Sequence, residues 1–150
     1  ETSSTVCDEV AYVKAWLAIE QARWGEALRV RWAVADDVLA CAVPPFVIQP
    51  LVENAVTHGI AHLLERGTIR IAASRTPARL SIVVENPCDP DRPRGTGAGV
   101  GVSNVRARLG ALYGAEAIVN SSEQGGVWRM ELSFPAERRA SDVAKATEPA

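Results

Sequence analysis

A two-layer α+β sandwich is the fold class this sequence predicts: a mixed, mostly antiparallel sheet of about five strands, covered on one face by about three helices. Three observations carry that expectation. Segments with apolar residues at helical spacing and segments of strict alternation are grouped along the chain rather than interleaved one for one, which disfavours a doubly wound parallel sheet. Two alternating segments, residues 68–73 and 80–86, are joined by a short turn at 75–79 that contains Pro77, the pattern of an antiparallel hairpin. A length of 150 residues, 47% of them hydrophobic, with a formal net charge of −2, fits one globular domain.

The elements follow in order. Residues 8–24 carry an apolar stripe at Val10, Val13, Leu17 and Trp24, with Lys14, Glu20 and Arg23 elsewhere on the surface, so they form a helix that Gly25 ends. LRVRWAV, residues 28–34, alternates as a half-buried strand, and Asp36-Asp37 is a turn. A short apolar link leads into PPFVIQPLVENAVTHGI, residues 44–60. It reads as a helix that starts at Pro44-Pro45 and stops at Gly59, burying Ile48, Leu51, Val52, Ala55 and Val56. The hairpin comes next. PCDPDRPRGTG, residues 87–97, has no apolar period and is expected to be a mobile loop. From 100 to 113 helical spacing returns, with Val102, Val105, Leu109 and Leu112 buried and Gly114 as the stop. Residues 117–120 and 127–134 are two further strands joined by a turn at 121–126. The tail from 135 has no apolar face and is expected to be disordered.

Composition narrows the function. Mild acidity argues against a broad nucleic-acid surface, which needs clustered positive charge. No apolar stretch approaches the ~18 residues of a membrane span, and no signal peptide is visible. Cys7, Cys41 and Cys88 are odd in number, widely spaced and in no CxxC arrangement, which points to reduced thiols in a cytosolic compartment rather than disulfides or zinc.

Three sites carry chemistry. GTGAGVGVSN, residues 95–104, enters a helix, where glycines allow close backbone approach and first-turn N–H groups bind anions; a plain hinge would look the same. It is not a Walker loop, since no GK[ST] follows, and no strand leads directly into it. At the end of the second hairpin strand, parity places Asn86 on the inner face with Leu80, Ile82 and Val84. Asn86 reads equally as a turn-closing residue before Pro87 and as a partner for a ligand base. Glu53-Asn54, on the helix of 44–60, offers oxygen ligands suited to Mg²⁺, although such a pair is also common at a solvated helix edge. His58, four residues on, shares the side of Asn54, and His62 makes no metal-binding spacing with it.

Taken together and in this order, the three sites resemble one family. LVENAVTHGI is similar to the N box of the GHKL ATP-binding superfamily, and GAGVGVSNVRARLGALYG to its G2 box and following helix. The variety most resembled is the LytS-like group of sensor histidine kinases, where a helix similar to EVAYVKAWLAIEQARWGEAL precedes a strand and a PP…QPLVENA segment. The resemblance runs from about residue 8 to 135. It implies a Bergerat-type sandwich, Mg²⁺ and ATP as cofactors, and phosphoryl transfer to a histidine on a separate dimerisation domain, then to a response regulator of LytTR type. Neither His58 nor His62 sits in a setting that suits that phosphoacceptor. Residues 1–7, which lack an initiator Met, would be the linker end of the dimerisation region, 8–135 the ATPase-like domain and 136–150 a tail. The domain would be cytoplasmic, without membrane contact, in a membrane-anchored kinase.

Carried over by position, the resemblance makes Asn54 the Mg²⁺ ligand and Glu53 its acidic neighbour, a metal or base partner. His58 would flank the nucleotide. Gly97, Gly99 and Gly101, with Val100 among them, would close over the phosphates, and Asn104 would stand behind. Residues 87–97 would be the ATP lid, from which Arg94 and Arg92 reach the γ-phosphate, and Gly125-Gly126 would be the last glycine box. Three positions depart from the pattern. Thr57 stands where Lys is frequent, and Asn86 and Cys88 stand where the G1 box has Asp and Gly. A neutral acceptor for the adenine amino group implies Mg-ATP binding of roughly micromolar to millimolar strength. Two other readings remain: a degenerate nucleotide-sensing or interaction module, and a stand-alone GHKL ATPase or anti-sigma-type serine kinase. Pro50, where hydrolytic branches carry Glu, weighs against hydrolysis.

Overall fold

Alternating apolar residues on five strands make one buried sheet face, and three helices cover it. The computed structural model describes residues 4–58, 67–88 and 99–138. The elements are β1 (Ser4–Thr5), α1 (Val6–Trp24), β2 (Leu28–Val34), β3 (Cys41–Val43), α2 (Gln49–His58), β4 (Gly67–Arg75), β5 (Arg79–Pro87), α3 (Gly99–Tyr113), β6 (Ile118–Gln124), β7 (Val127–Pro135) and β8 (Glu137–Arg138). The main sheet has the order β2-β4-β5-β7-β6, with β2 parallel to β4 and every other pair antiparallel. This is the expected α+β sandwich. The hairpin is β4–β5, closed at Arg75↔Leu80, and β5 and β7 pair over nine residues from Arg79↔Pro135 to Pro87↔Val127.

The core lies between that sheet and the helices. Ile69, Ile71, Leu80, Ile82, Leu132 and Phe134 from the sheet meet Val13, Leu17, Leu51, Val52, Val105 and Leu109 from the helices, all essentially inaccessible to water. The period-2 rule holds along β5, where Leu80, Ile82, Val84 and Asn86 all face inward. Cross-strand charges occupy the other face, with Glu85 between Arg70 and Arg129.

Four expectations need correction. The helix expected over 44–60 starts at Gln49, five residues later than Pro44. Phe46 takes φ 59° in the preceding turn, and the helical ladder begins at the Ile48 carbonyl, which accepts from Leu51 and Val52 N–H. The proline that exploits the first helical turn is therefore Pro50, not Pro44 or Pro45. Leu112 is 58% exposed; the chain turns toward the sheet one residue later, where Tyr113 stacks on Phe134 with ring centroids 5.0 Å apart. The strand expected at 117–120 continues to Gln124, so the β6–β7 turn is just Gly125-Gly126. Finally, the apolar link before residue 44 contains β3, the middle strand of a second small sheet, β1-β3-β8. Its outer members are Ser4–Thr5 from the expected linker and Glu137–Arg138 from the expected tail. Residues 139–150, the loop positions 89–98 and the helix stop at Gly59 lie outside the described residues.

Candidate functional site

The α2 face that looks toward α3 is built by helical spacing. Pro50, Glu53, Asn54, Thr57 and His58 fall on one side of α2 and, with Gly101 and Val102 of α3, line a cleft of about 150 Å³. Asn54 is its distinctive member. The residue is 6% exposed, yet neither Nδ2 nor Oδ1 has a hydrogen-bond partner among the described residues. An unpaired buried polar group costs about 1–3 kcal/mol, so a carboxamide left open in a cleft calls for a ligand. Glu53, beside it, is exposed and accepts from Gln49 Nε2 at 3.1 Å, an i,i+4 bond that orients its carboxylate along the rim.

Asn86 stands at the inner end of β5, against which α2 packs, and does not line the cleft itself. It is 2% exposed. Its Nδ2 donates to the Pro87 carbonyl at 2.9 Å, which orients the amide and leaves Oδ1 a buried acceptor without a partner. Both sequence-selected asparagines thus keep open polar atoms inside an apolar layer. The strand end after Asn86 is tied by the Cys88 N–H, which donates to the Gly126 carbonyl at 2.8 Å. Gly125 and Gly126 have φ of 60° and 78°, so the pair serves as the hairpin turn and anchors the site from outside.

Gly101 has a role that the glycine pattern alone does not reveal. A Cβ at this position would lie 3.2 Å from Pro50 Cβ, so the missing side chain sets how closely α3 approaches α2. Gly99 and Val100 begin α3, whose first-turn N–H groups have no intrahelical acceptor. Asn104 is exposed on α3 and is not part of the cleft lining. Gly97, Arg94 and Arg92 lie outside the described residues. Pro50 and Val102 line the cleft without having been chosen as site residues from the sequence, where Pro50 marks a departure from hydrolytic branches and Val102 a buried helix position.

No family model matches the chain. It is 33% identical over 132 residues to the sensor histidine kinase BtsS of Escherichia coli, an alignment that covers 87% of this chain and 24% of that protein. Sensor protein LytS of Enterococcus faecalis is 29% identical over 157 residues, covering 95% and 26%. In structure, the nucleotide-free catalytic domain of histidine kinase ThkA superposes with a TM-score of 0.67 at 15% identity, covering 92% of this chain and 98% of that one. This chain is a homologue of LytS-type sensor histidine kinases and has the fold of a histidine kinase catalytic domain. It spans about a quarter of the length of the curated relatives it matches. ThkA has also been solved in complex with the response regulator protein TrrA.

Asn54 offers the cleft one open carboxamide oxygen. Among the described residues no group of three or more His, Cys, Asp or Glu can hold a metal ion. A single carboxamide oxygen suits Mg²⁺, which takes one or two protein ligands and completes its shell with water and phosphate oxygens. Cys7 is exposed, Cys41 buried and Cys88 half-buried, and no described helix is long and apolar enough to cross a membrane.

Proposed function

We propose that this chain is the ATP-binding catalytic domain of a two-component sensor histidine kinase. The observation that carries the reading is the open carboxamide of Asn54, buried in the α2–α3 cleft without a partner. Asn54 Oδ1 would hold Mg²⁺, which supplies charge neutralisation for the phosphates when bound. Asn86 Oδ1 would accept the adenine amino proton, and the bond from Nδ2 to the Pro87 carbonyl supports this by leaving Oδ1 as the open acceptor. The first-turn N–H groups of α3, from Gly99 onward, would bind phosphate oxygens with the help of the helix dipole.

In the whole kinase, a histidine nitrogen on a separate dimerisation domain attacks the γ-phosphorus, the N–P bond forms, the bond to the bridging oxygen breaks, and ADP leaves. Glu53, exposed on the rim and bonded to Gln49, would take the imidazole proton. His58 and Asn104 would flank the nucleotide, and Gly97, Arg94 and Arg92 would cover it. Phosphate then passes to a response regulator of LytTR type, from a kinase anchored in the membrane with this domain in the cytoplasm. Residues 8–135 would form the catalytic unit.

The test mixes the chain with the dimerisation segment of the same protein and labelled ATP. Phosphohistidine that forms with the native domain and disappears with Asn54→Ala is the expected result. One observation favours a second reading: Asn86 supplies a neutral acceptor, which weakens adenine recognition and suits a nucleotide-sensing module. That module would bind Mg-ATP in the same mixture without transferring phosphate. Absence of any Mg-ATP binding at millimolar concentration would sink both.

A further inference from the structure

The turn that launches α2 is gripped by charged side chains of two different helices. Residues 44–48 carry the chain from β3 to α2, and Phe46 is the only non-glycine residue with positive φ among those described. A bulky side chain in that conformation is strained, and it persists only where its surroundings over-determine it. On one side of Phe46, the Val47 N–H donates to Glu9 Oε1 at 2.9 Å in a buried bond. On the other, the Pro45 carbonyl accepts from the Arg108 guanidinium. Glu9 lies in the first turn of α1 and is 6% exposed; Arg108 lies on α3. The Phe46 ring is held out toward solvent, edge-on to Tyr12 at 5.3 Å.

This turn sets the phase of α2. The ladder starts at the Ile48 carbonyl, and each residue of shift in a helix start turns every side chain by about 100°. One such slip takes Asn54 out of the cleft. Gly101 and Arg108 are seven residues apart, two turns along one face of α3. Gly101 abuts Pro50 in the first turn of α2, while Arg108 holds Pro45 just ahead of it. The face of α3 that begins at the cleft therefore also fixes where α2 begins.

We propose that Glu9 and Arg108 are positioning residues of the nucleotide cleft: by clasping the strained turn about Phe46 they set the start of α2 and so aim Asn54. Neither residue lines the cleft. The inference rests on the Mg-ATP reading of that cleft, and its test separates the two. Mg-ATP affinity is measured by calorimetry on the chain and on Arg108→Met, Phe46→Gly, the double variant, Glu9→Gln and Glu9→Ala, each confirmed folded at the assay temperature by a thermal melt.

Arg108→Met and Glu9→Ala should weaken binding about tenfold, because a small misplacement of a ligating side chain is enough to do so. Glu9→Gln retains an oxygen acceptor for the Val47 N–H and should stay near the native value. Glycine takes positive φ without help, so Arg108→Met in the Phe46→Gly background should cost almost nothing. Arg108→Met that is folded with native affinity overturns the clasp, as does an equal loss in both backgrounds. Should the native chain bind no Mg-ATP, the nucleotide reading fails by itself. The clasp is then judged by the Asn54 side-chain amide signals in NMR without nucleotide: a shift in Arg108→Met supports it, and unchanged signals overturn it.

Discussion

Asn54 and Asn86 show how much a single buried carboxamide can report. Asn86 was legible in the sequence because the period of 2 on β5 assigns it an inward direction, and Asn54 because it is a polar residue beside the buried stripe of α2. Neither was legible in its hydrogen bonding, which depends on chain brought close from elsewhere. Glu9 is the opposite case: its acceptor role is invisible in sequence because its partner is a backbone N–H 38 residues away. Two predictions belong at this scale. Asn54→Ala removes two buried polar atoms that have no partner in the described protein, so the melting temperature should hold or rise. Mg-ATP affinity should meanwhile fall at least tenfold, as loss of one charge-assisted contact of about 1.5–3 kcal/mol implies. A melt beside a calorimetric titration checks both; a large fall in melting temperature would mean that Asn54 is structural. Asn86→Asp should separate the same quantities in reverse. It places an anionic oxygen where Nδ2 now donates to the Pro87 carbonyl, destabilising the free domain by about 1–3 kcal/mol. It should also strengthen adenine binding, and urea unfolding with and without ATP reads out the two effects.

Elements read less evenly than residues. α1 and the β4–β5 hairpin stand as expected because their periods are long and their turn signals local. The start of α2 does not, because Pro44-Pro45 mimics a helix start while Phe46 takes a backbone conformation that no propensity suggests. Leu112 and Tyr113 are adjacent candidates for one inward position, and the aromatic ring that reaches Phe134 wins it. β1, β3 and β8, each two or three residues long, carry no period at all. At this scale the α2–α3 contact is testable through Gly101→Ala. Alanine gains up to about 1 kcal/mol of helix propensity over glycine. Its Cβ meets Pro50 Cβ at 3.2 Å, however, and a proline locked in a helical first turn yields little. The two effects oppose each other, so stability should change by less than about 1 kcal/mol, while the helices move apart and Mg-ATP affinity drops. Unchanged affinity would show that α2–α3 spacing does not govern the cleft.

At the scale of the molecule, the strand order β2-β4-β5-β7-β6 places β5 in the middle, so the strand that carries Asn86 has a neighbour on both sides. Sequence could supply the hairpins of that order but not the parallel β2–β4 pairing, whose partners are separated by β3 and α2. The small sheet completes the logic, because its two outer strands come from opposite ends of the described chain and flank β3, which runs straight into the Phe46 turn. Cys41, 1% exposed in β3 and within 3.6 Å of an Arg75 guanidinium nitrogen, is a built-in reporter of that closure. In the native chain Cys7 should react at once with a thiol reagent, while Cys41 waits for unfolding. Ending the chain after Pro135 removes β8 and the bond from the Ala136 N–H to the Ala78 carbonyl, leaving one edge of β3 open. The loss of a few hydrogen bonds at about 1 kcal/mol each should lower the melting temperature by several degrees. Cys41 should then become labelled under native conditions well before global unfolding. Mg-ATP affinity should fall less than in Arg108→Met, because the clasp that aims Asn54 draws on α1 and α3 and not on β8. If truncation abolishes nucleotide binding while Cys41 stays protected, the cleft depends on the C-terminal strand by a route other than the edge of β3.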